Sequence, residues 1–164
     1  MIRKAIQSDC SNLAALSLQV WLHTYATNGI RQQISHYALS TFTEKHFIEL
    51  LEQTSIDIRI YEEAGRLMGL VVVDLDSTFN GKAETGYEVV HLYVSQHAQG
   101  RGIGSQLLKE IECLHGLPIW LTTWVKNNGA IEFYKKLGFH IIGELNFNLE
   151  GELHRNHVFS YSGP

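Results

Sequence analysis

The stretch Gln-Gly-Arg-Gly-Ile-Gly at residues 99–104 joins a strand pattern to a helix pattern. Before it, residues 87–94 (Tyr-Glu-Val-Val-His-Leu-Tyr-Val) are β-branched and aromatic, which is typical of a strand. After it, apolar residues recur at helical spacing through residues 107–114. Three glycines at such a junction let backbone N–H groups converge at the positive end of a helix dipole. The loop therefore predicts a site for a phosphate or pyrophosphate.

Two familiar phosphate-binding loops do not fit these residues. A P-loop needs a Gly-Lys pair followed by Ser or Thr, whereas Gly104 is followed directly by Ser105. A dinucleotide fingerprint lies in the first turn of a βαβ repeat and has an acidic residue about twenty positions later. This loop lies past mid-chain, and residues 120–124 contain no acid. Tight packing alone would also explain glycines at this junction, so the loop by itself leaves its ligand open.

The rest of the chain predicts one mixed sheet with helices, an α+β fold. A strand-helix-strand link joins residues 87–94 to residues 119–125, which predicts parallel neighbours with a right-handed crossover. Gly138 is expected to end the last helix as a left-handed cap. The other predicted strands are 2–6, 56–61, 67–75, 139–145 and 158–161, with a hairpin turn at 149–152 before the last of them. The first predicted helix begins near Asp9, and the others cover 43–53, 107–114 and 128–137.

Composition excludes several classes of protein. The chain has 164 residues, 45% of them hydrophobic, which fits a single domain over residues 1–164. Lys and Arg number 13 against 17 Asp and Glu, and a net charge of -4 disfavours a nucleic-acid partner. The longest apolar run, residues 67–73, is too short to cross a bilayer, and no export signal precedes it, so no membrane partner is expected.

The cysteines and histidines predict neither a disulfide nor a metal site. Cys10 and Cys113 lie far apart and have no metal-ligand spacing, which favours the reducing cytoplasm. His154 and His157 are three residues apart on a predicted strand, so they are expected to face opposite sides of it. The helical histidines, His115 among them, are expected at the surface.

Two motifs resemble those of the GNAT superfamily of N-acetyltransferases. The string Gln99-x-x-Gly102-x-Gly104 is similar to its acyl-CoA signature, and residues 127–139 are similar to its second motif at the expected distance. The two motifs lie within residues 88–139, and the order of elements is similar over nearly the whole chain. Residues 119–124 and 130–134 most resemble PaiA-type polyamine acetyltransferases and their relatives.

The resemblance implies a single-domain GNAT-like fold with a mixed, mostly antiparallel sheet, flanking helices and a splayed parallel pair of strands at the cofactor site. It implies acetyl-CoA as co-substrate and no metal. The backbone groups of Tyr93 and Val94 would hold the pantetheine arm, and the Val94 N–H would face the thioester carbonyl; an ordinary strand end is the alternative. Arg101 is expected either to contact phosphate or to point to solvent. The full expected cofactor set is Leu92, Tyr93, Val94, Gln99, Gly100, Arg101, Gly102, Ile103, Gly104, Ser105, Asn127, Ala130, Phe133 and Tyr134.

By the same resemblance Tyr134 is the general acid for the departing thiolate, and Asn127 binds the pantetheine arm. Tyr134 follows Asn127 by seven residues, two helical turns along one face. A buried stripe of residues 130–137 is the alternative for Tyr134, and a helix cap is the alternative for Asn127.

Glu88 is the predicted general base. Its even spacing from Val94 places both on one face of a regular strand, and His91 falls on the other face unless a bulge shifts the register. A solvated strand-end glutamate is the alternative.

Trp21, Tyr25 and Glu152 are the predicted acceptor-binding residues, with core packing and surface solubility as alternatives. The predicted reaction is direct acetyl transfer, in a ternary complex, to a primary amine such as a polyamine or another small amine. A peptide or protein amine, or a non-catalytic CoA-binding sensor module, is the alternative, as is a structural domain with an unused glycine loop. The expected partner is a small-molecule amine, and homodimer formation is left open.

Overall fold

The computed structural model describes all residues from Met1 to Pro164 and contains seven strands and five helices. Short 3-10 turns occupy several of the loops between them. The elements in chain order are β1 (Ile2–Lys4), α1 (Cys10–Tyr25), α2 (Gln32–Thr41), α3 (Glu44–Leu51), β2 (Ile56–Glu63), β3 (Arg66–Asp74), β4 (Tyr87–Val94), α4 (Ile103–His115), β5 (Ile119–Trp124), α5 (Asn128–Lys136), β6 (His140–Leu149) and β7 (Glu152–Tyr161).

All seven strands form one sheet in the order β1-β2-β3-β4-β5-β7-β6. Every neighbouring pair is antiparallel except β4 and β5, which are parallel and are joined through α4. The predicted α+β fold with a mixed, mostly antiparallel sheet is therefore confirmed. Gly138 adopts a left-handed conformation with φ +93° just after α5, as predicted for the residue that ends this helix.

The last hairpin is longer than the sequence predicts. β6 and β7 each have ten residues and meet at the turn that the sequence predicts over residues 149–152, but both are longer than the predicted strands 139–145 and 158–161. β6 is the edge strand and most of its side chains are exposed. Because such a strand buries little of either face, its polar residues carry no period-two pattern, and pairing with β7 alone defines it.

Helices cover the two faces of the sheet in separate layers. α1, α2 and α3 pack on the face that carries Leu70 and Val72, and α4 packs on the opposite face with Val71 and Val73. The N-terminal α5 residues Ala130 and Ile131 also contact the second layer. None of the helices combines the length and the apolar character that a membrane span requires.

β4 and β5 stay paired for only three residues and then separate. The pairing runs from Tyr87 opposite Ile119 to Val89 opposite Leu121. β4 then carries a bulge at Val90, where its pairing with β3 shifts register. Beyond this point the two strands continue without ladder hydrogen bonds between them, so the centre of the sheet contains an open, V-shaped gap.

Candidate active site

A cavity of about 320 Å³ lies at this gap and is called the central cavity below. It extends from β4 and β5 to α1 and α2 on one side and to α5 on the other. Aromatic and aliphatic side chains make up most of its wall. Its lining residues are Val20, Trp21, Thr24, Tyr25, Tyr37, Phe42, Glu88, Val89, Val90, His91, Leu92, Tyr93, Leu121, Thr122, Thr123, Trp124, Asn127, Ala130, Tyr134, Phe147 and Asn156.

The glycine loop, residues 99–104, presents free backbone donors at the start of α4. The N–H groups from Gly100 to Ser105 make no backbone hydrogen bond within the protein, and no side chain accepts from them. Gly100 and Gly102 have φ of +77° and +76°, a conformation that favours glycine. Free N–H groups at a helix N-terminus suit an anionic group such as a diphosphate.

Two loop side chains are engaged with protein atoms. The Gln99 amide donates to the Val94 carbonyl oxygen at 3.4 Å, which ties the loop to the end of β4. Arg101 donates to the Glu63 carboxylate at 2.6 Å, and both side chains are about half exposed. Of the two alternatives for Arg101, the structure therefore has it in a solvated ion pair beside the loop.

The backbone of β4 offers hydrogen-bonding groups to the gap at alternate residues. Ser95 N–H donates to Met68 O, so Ser95 and Met68 form a hydrogen-bonded antiparallel pair. Tyr93, two residues earlier, lies opposite Leu70 and also points its N–H toward β3. Leu92 and Val94 point theirs toward the gap. The expectation that both Tyr93 and Val94 present backbone groups to a ligand is therefore wrong for Tyr93, while Val94 has the predicted orientation.

The bulge at Val90 changes the faces of β4. Glu88 lies opposite Asp74, whereas His91 lies opposite Val72, so one extra residue separates the two pairings. Glu88, His91 and Tyr93 consequently share the α1 face, and Val94 lies on the α4 face. The prediction that Glu88 and Val94 share a face is wrong, because the even-spacing rule holds only for a regular strand.

Glu88 lines the central cavity and is held in place by a serine. Ser77 Oγ donates to the Glu88 carboxylate at 2.7 Å, and the Trp120 indole donates to the Ser77 carbonyl oxygen at 3.1 Å. Burial raises the pKa of Glu88 above its ordinary value, the Ser77 hydrogen bond opposes this, and the nearby Asp74 adds to it. A carboxylate with a raised pKa is suited to accept a proton near neutral pH.

Tyr134 reaches the central cavity from α5. Its side chain is 8% exposed and packs against Phe133, Phe139 and Phe159. The hydroxyl makes no hydrogen bond within the protein, and burial raises the pKa of this phenol above its ordinary value. Tyr134 is therefore a protonated donor facing a cleft.

Asn127 also lines the cavity, but it acts as the cap of α5. Its Oδ1 accepts from the Ala130 N–H at 3.2 Å. Of the four α5 residues expected in a buried stripe, only Tyr134 is fully buried; Ala130, Phe133 and Leu137 remain partly exposed. Phe133 lies against the glycine loop, since a Cβ added at Gly104 would be 3.2 Å from its Cζ.

Four stacked aromatic rings form the wall opposite β4, and they are called the ring stack below. Trp21 stacks on Tyr25 at 4.6 Å and on Tyr37 at 4.9 Å between centroids, and Tyr25 stacks on Trp124 at 4.9 Å. The sequence predicts Trp21 and Tyr25 here, and the structure places both in the wall. Tyr37 and Trp124 were missed; their aromatic type was the only available signal.

Asn156 is a further residue that the sequence analysis missed. It lies on β7 opposite Trp124, lines the central cavity, and is 8% exposed. Its Oδ1 is buried and has no hydrogen-bond partner. A single asparagine in a polar strand gives no sequence signal for burial.

Glu152, the third predicted acceptor-binding residue, lies outside the central cavity. Its carboxylate pairs with Arg31 and lies 3.4 Å from His154 Nε2. The surface role that was the alternative fits this position.

His115 corrects the expectation of a surface position. Its Nε2 lies 2.8 Å from Asp57 Oδ2, and its side chain is only 20% exposed. Cys10 is buried, Cys113 is exposed, and neither lines the central cavity. His154 and His157 occupy alternate faces of β7, as predicted from their spacing.

Residues 43–141 match the acetyltransferase (GNAT) domain family, a region that includes β4, the glycine loop and α5. The match covers more than half of the chain. The protein belongs to the GNAT acetyltransferase family, as its two motifs predict.

Three curated relatives share about 30% identity with parts of the chain. An uncharacterized N-acetyltransferase of Methanocaldococcus jannaschii is 30% identical over 110 residues, 63% of this chain and 48% of that protein. A probable spermine N(1)-acetyltransferase of Bacillus subtilis subsp. natto is 29% identical over 99 residues, 57% of this chain and 64% of that protein. The peptidyl-lysine N-acetyltransferase YiaC of Escherichia coli is 31% identical over 83 residues, 51% of this chain and 49% of that protein. The chain thus spans about half to two thirds of each relative.

The fold is also that of a solved structure. The PaiA N-acetyltransferase of Thermoplasma acidophilum, crystallised with coenzyme A, superposes with a TM-score of 0.76 over 96% of both chains at 19% identity. This likeness agrees with the GNAT-like fold that the sequence predicts.

Proposed function

We propose that this protein is an acetyl-CoA-dependent N-acetyltransferase that acts on a primary amine by direct transfer. The observation that carries the proposal is the central cavity, which joins the gap between β4 and β5 to Glu88 and Tyr134. The free N–H groups of the glycine loop at the start of α4 complete the arrangement. Family membership supports the same activity.

In this proposal the chain binds both substrates, polarises the thioester carbonyl, accepts a proton from the amine and donates a proton to the thiolate. Bound acetyl-CoA supplies an activated acetyl group, and the amine nitrogen forms a bond to its carbonyl carbon as the carbon–sulfur bond breaks. The Val94 N–H, which points into the gap, donates to the carbonyl oxygen, an interaction worth about 2.7 to 4 kcal/mol in the transition state. Glu88 takes the proton that the acceptor ammonium must lose, directly or through water. Tyr134 donates a proton to the thiolate.

The proposed contacts to acetyl-CoA are made partly by backbone groups and partly by side chains. The N–H groups of Gly100 to Ser105 hold the diphosphate, and the gap-facing groups of Leu92 and Val94 hold the pantetheine arm. Phe133 and Ala130 contribute apolar surface beside the loop. Asn127, already engaged as a cap, contributes mainly by fixing the start of α5.

The acceptor is a small-molecule amine. Similarity to a probable spermine N(1)-acetyltransferase supports a polyamine, as the sequence predicts. Similarity to a peptidyl-lysine N-acetyltransferase supports the second candidate, a peptide or protein amine. The cytoplasmic location stays a prediction, and homodimer formation stays open.

The test is thiol release from acetyl-CoA in the presence of polyamines, simple amines, amino acids and lysine peptides. We expect release with at least one amine, and we expect Tyr134→Phe to lower kcat by roughly 10²- to 10⁴-fold, the usual contribution of a general acid. Tyr161→Phe is the matched control, because Tyr161 lies on β7 outside the central cavity. If Tyr134→Phe is as fast as the wild type, Tyr134 is not the acid.

Binding is tested separately from turnover. Acetyl-CoA at about 100 times its dissociation constant should stabilise the protein by about 2.7 kcal/mol. Stabilisation without thiol release for any amine would favour the CoA-binding sensor module. No change in thermal stability would leave a structural domain and contradict the proposal.

A further inference from the structure

The side chains around the central cavity carry very little charge. Glu88 is the only acidic residue in the wall, and no Lys or Arg lines it. His91 is the only other side chain of the wall whose ordinary pKa is near neutral. Burial lowers the pKa of His91 to about 4, so its imidazole is uncharged at neutral pH. The cavity can therefore neutralise one ammonium group with a carboxylate, and it has no second carboxylate for another.

The ring stack also offers no open aromatic face on which a second ammonium group could bind in place of a carboxylate. Cations bind over the faces of aromatic rings, where the quadrupole is negative, whereas ring edges are positive. Trp21 and Tyr25 each stack with two neighbours at interplanar angles of 26° to 29°, so their faces contact other rings. At one end of the stack Lys126 Nζ lies 5.6 Å from the centre of the Trp124 ring, and at the other Phe147 makes a T-shaped contact with Tyr37.

Rings arranged in this way present edges to the cavity. An edge packs well against the face of another aromatic ring or against an alkyl chain. Phe42 adds a further apolar surface, since it is buried and lines the same cavity. The wall thus suits an apolar body and disfavours a second positive charge.

One neutral polar group remains to position the acceptor. Asn156 lines the cavity with an Oδ1 that is buried and has no partner, and a buried acceptor of this kind is costly to leave unpaired. An N–H or O–H group of a bound molecule would satisfy it. Asn156 lies beside Trp124, so this contact is at the end of the ring stack.

We infer that the acceptor is a monoamine, with a single ammonium group on an apolar or aromatic body, which Glu88 engages at the ammonium and the ring stack and Asn156 engage along the body. This inference rests on the proposed acetyl transfer to a primary amine and replaces both acceptors that the relatives suggest: arylalkylamines and alkylamines are preferred to polyamines and to lysine peptides.

The test compares amines that differ in one charge. Hexylamine and cadaverine have the same number of non-hydrogen atoms, and the terminal methyl of one is an ammonium in the other. We expect kcat/KM to be at least about tenfold higher for hexylamine, because the cavity leaves the second ammonium without a charged partner, and we expect phenethylamine to be a better acceptor than spermidine. Equal or faster acetylation of cadaverine, spermidine or a lysine peptide would overturn the inference.

A charge added to the wall should move this preference. Asn156→Asp places a carboxylate at the end of the ring stack, and we expect it to lower the ratio of kcat/KM for hexylamine to that for cadaverine at least several-fold. Asn146→Asp is the matched control, since Asn146 is exposed on the edge strand β6 and should leave the ratio unchanged. An unchanged ratio in folded Asn156→Asp, checked by circular dichroism, would remove Asn156 from the acceptor site.

The two proposals fail in different ways. If no amine releases thiol from acetyl-CoA, the proposed function fails. If amines are acetylated but diamines are preferred, the proposed function stands and only the inference about the acceptor fails. The wild-type comparison decides this even where Asn156→Asp does not fold.

Discussion

At the scale of single residues, Glu88 illustrates how a half-buried carboxylate is kept available. Its oxygen accepts from Ser77, whose carbonyl oxygen accepts from the Trp120 indole, so two residues from two other segments fix its position. Burial favours its neutral form and Asp74 repels its charge, which raises its pKa. The result is a base that is stronger than an ordinary surface glutamate.

The pH dependence of the reaction should report this raised pKa. Glu88 must be ionised to accept a proton, so kcat/KM for a good acceptor should fall as pH decreases through its pKa. Because that pKa is raised, the acidic limb should lie above the ordinary glutamate value of about 4.3. We expect Glu88→Gln to lower kcat/KM by roughly 10²-fold or more and to remove this limb.

The control for this profile is Glu84→Gln, which changes an exposed carboxylate just before β4. It should keep the wild-type rate and the wild-type limb. An acidic limb that persists unchanged in Glu88→Gln would mean that another group is the base.

The sequence motifs predict the identity of the candidate catalytic residues better than they predict the orientation of the side chains. Tyr134 and Glu88 were found because their positions follow a motif and a strand, and both line the central cavity. The predicted strand face of Glu88 relative to Val94 was wrong, because nothing in the sequence marks the one-residue bulge at Val90. Asn156 was missed because its burial depends on β5 and α1, which are far away in the chain.

At the scale of elements, the glycine loop and α4 form one unit. The loop supplies the unpaired N–H groups and the helix supplies the aligned dipole behind them. Gly100 and Gly102 have positive φ, and alternation of right- and left-handed residues is the conformation in which successive backbone N–H groups form an anion-binding concavity. A side chain at either position is strained whatever space surrounds it.

Alanine substitutions at Gly100, before α4, and at Gly116, after it, separate the cost of backbone strain from an effect on acetyl-CoA binding. Gly100 and Gly116 have φ of +77° and +78°, and a Cβ at either would meet no atom within 4 Å. Gly100→Ala should therefore cost about 1 kcal/mol of unfolding free energy. Gly116→Ala should cost up to about 3 kcal/mol, because its ψ of −154° lies in a region that essentially only glycine adopts. Only Gly100→Ala should also weaken acetyl-CoA binding, by roughly tenfold, since its methyl group lies among the loop donors. Isothermal titration calorimetry checks this, and equal affinities for the two variants would contradict a role of the loop in binding.

The elements around the loop follow from local signals, whereas β6 and β7 do not. Residues 87–94 are predicted as a strand with the bounds that the structure has, because this central strand is dense in β-branched and aromatic residues. The gap beside β4 was expected only from the family resemblance. No local pattern determines how far two parallel strands stay paired.

At the scale of the whole molecule, a polar cluster far from the cavity joins the sheet to α4. Asp57 on β2 accepts from Arg59 at 3.0 Å and lies 2.8 Å from His115 at the end of α4. Burial alone would raise the pKa of Asp57, but the hydrogen bonds and charges of His115 and Arg59 outweigh it and hold the pKa below its ordinary value. A carboxylate with a lowered pKa contributes stability at neutral pH.

We therefore expect Asp57→Ala to lower the free energy of unfolding by about 2 kcal/mol at neutral pH, the size of a hydrogen bond to a charged group. The folded-state pKa is depressed, so the wild-type advantage is complete above the unfolded-state value and declines as pH falls through the folded-state value. Urea unfolding at about pH 7 and pH 3 measures both. Asp76→Ala, at an exposed position, should change little, and a deficit for Asp57→Ala that does not shrink in acid would contradict the assignment.

The ring stack gives the protein an optical property as well as a wall. Trp21 and Trp124 are two of its three tryptophans, and the third, Trp120, packs beside Phe79 next to the segment that holds Glu88. Two of the three indoles of the chain thus border the central cavity. Any molecule that enters will alter their polarity and quenching, so the unlabelled protein can report its own occupancy by fluorescence.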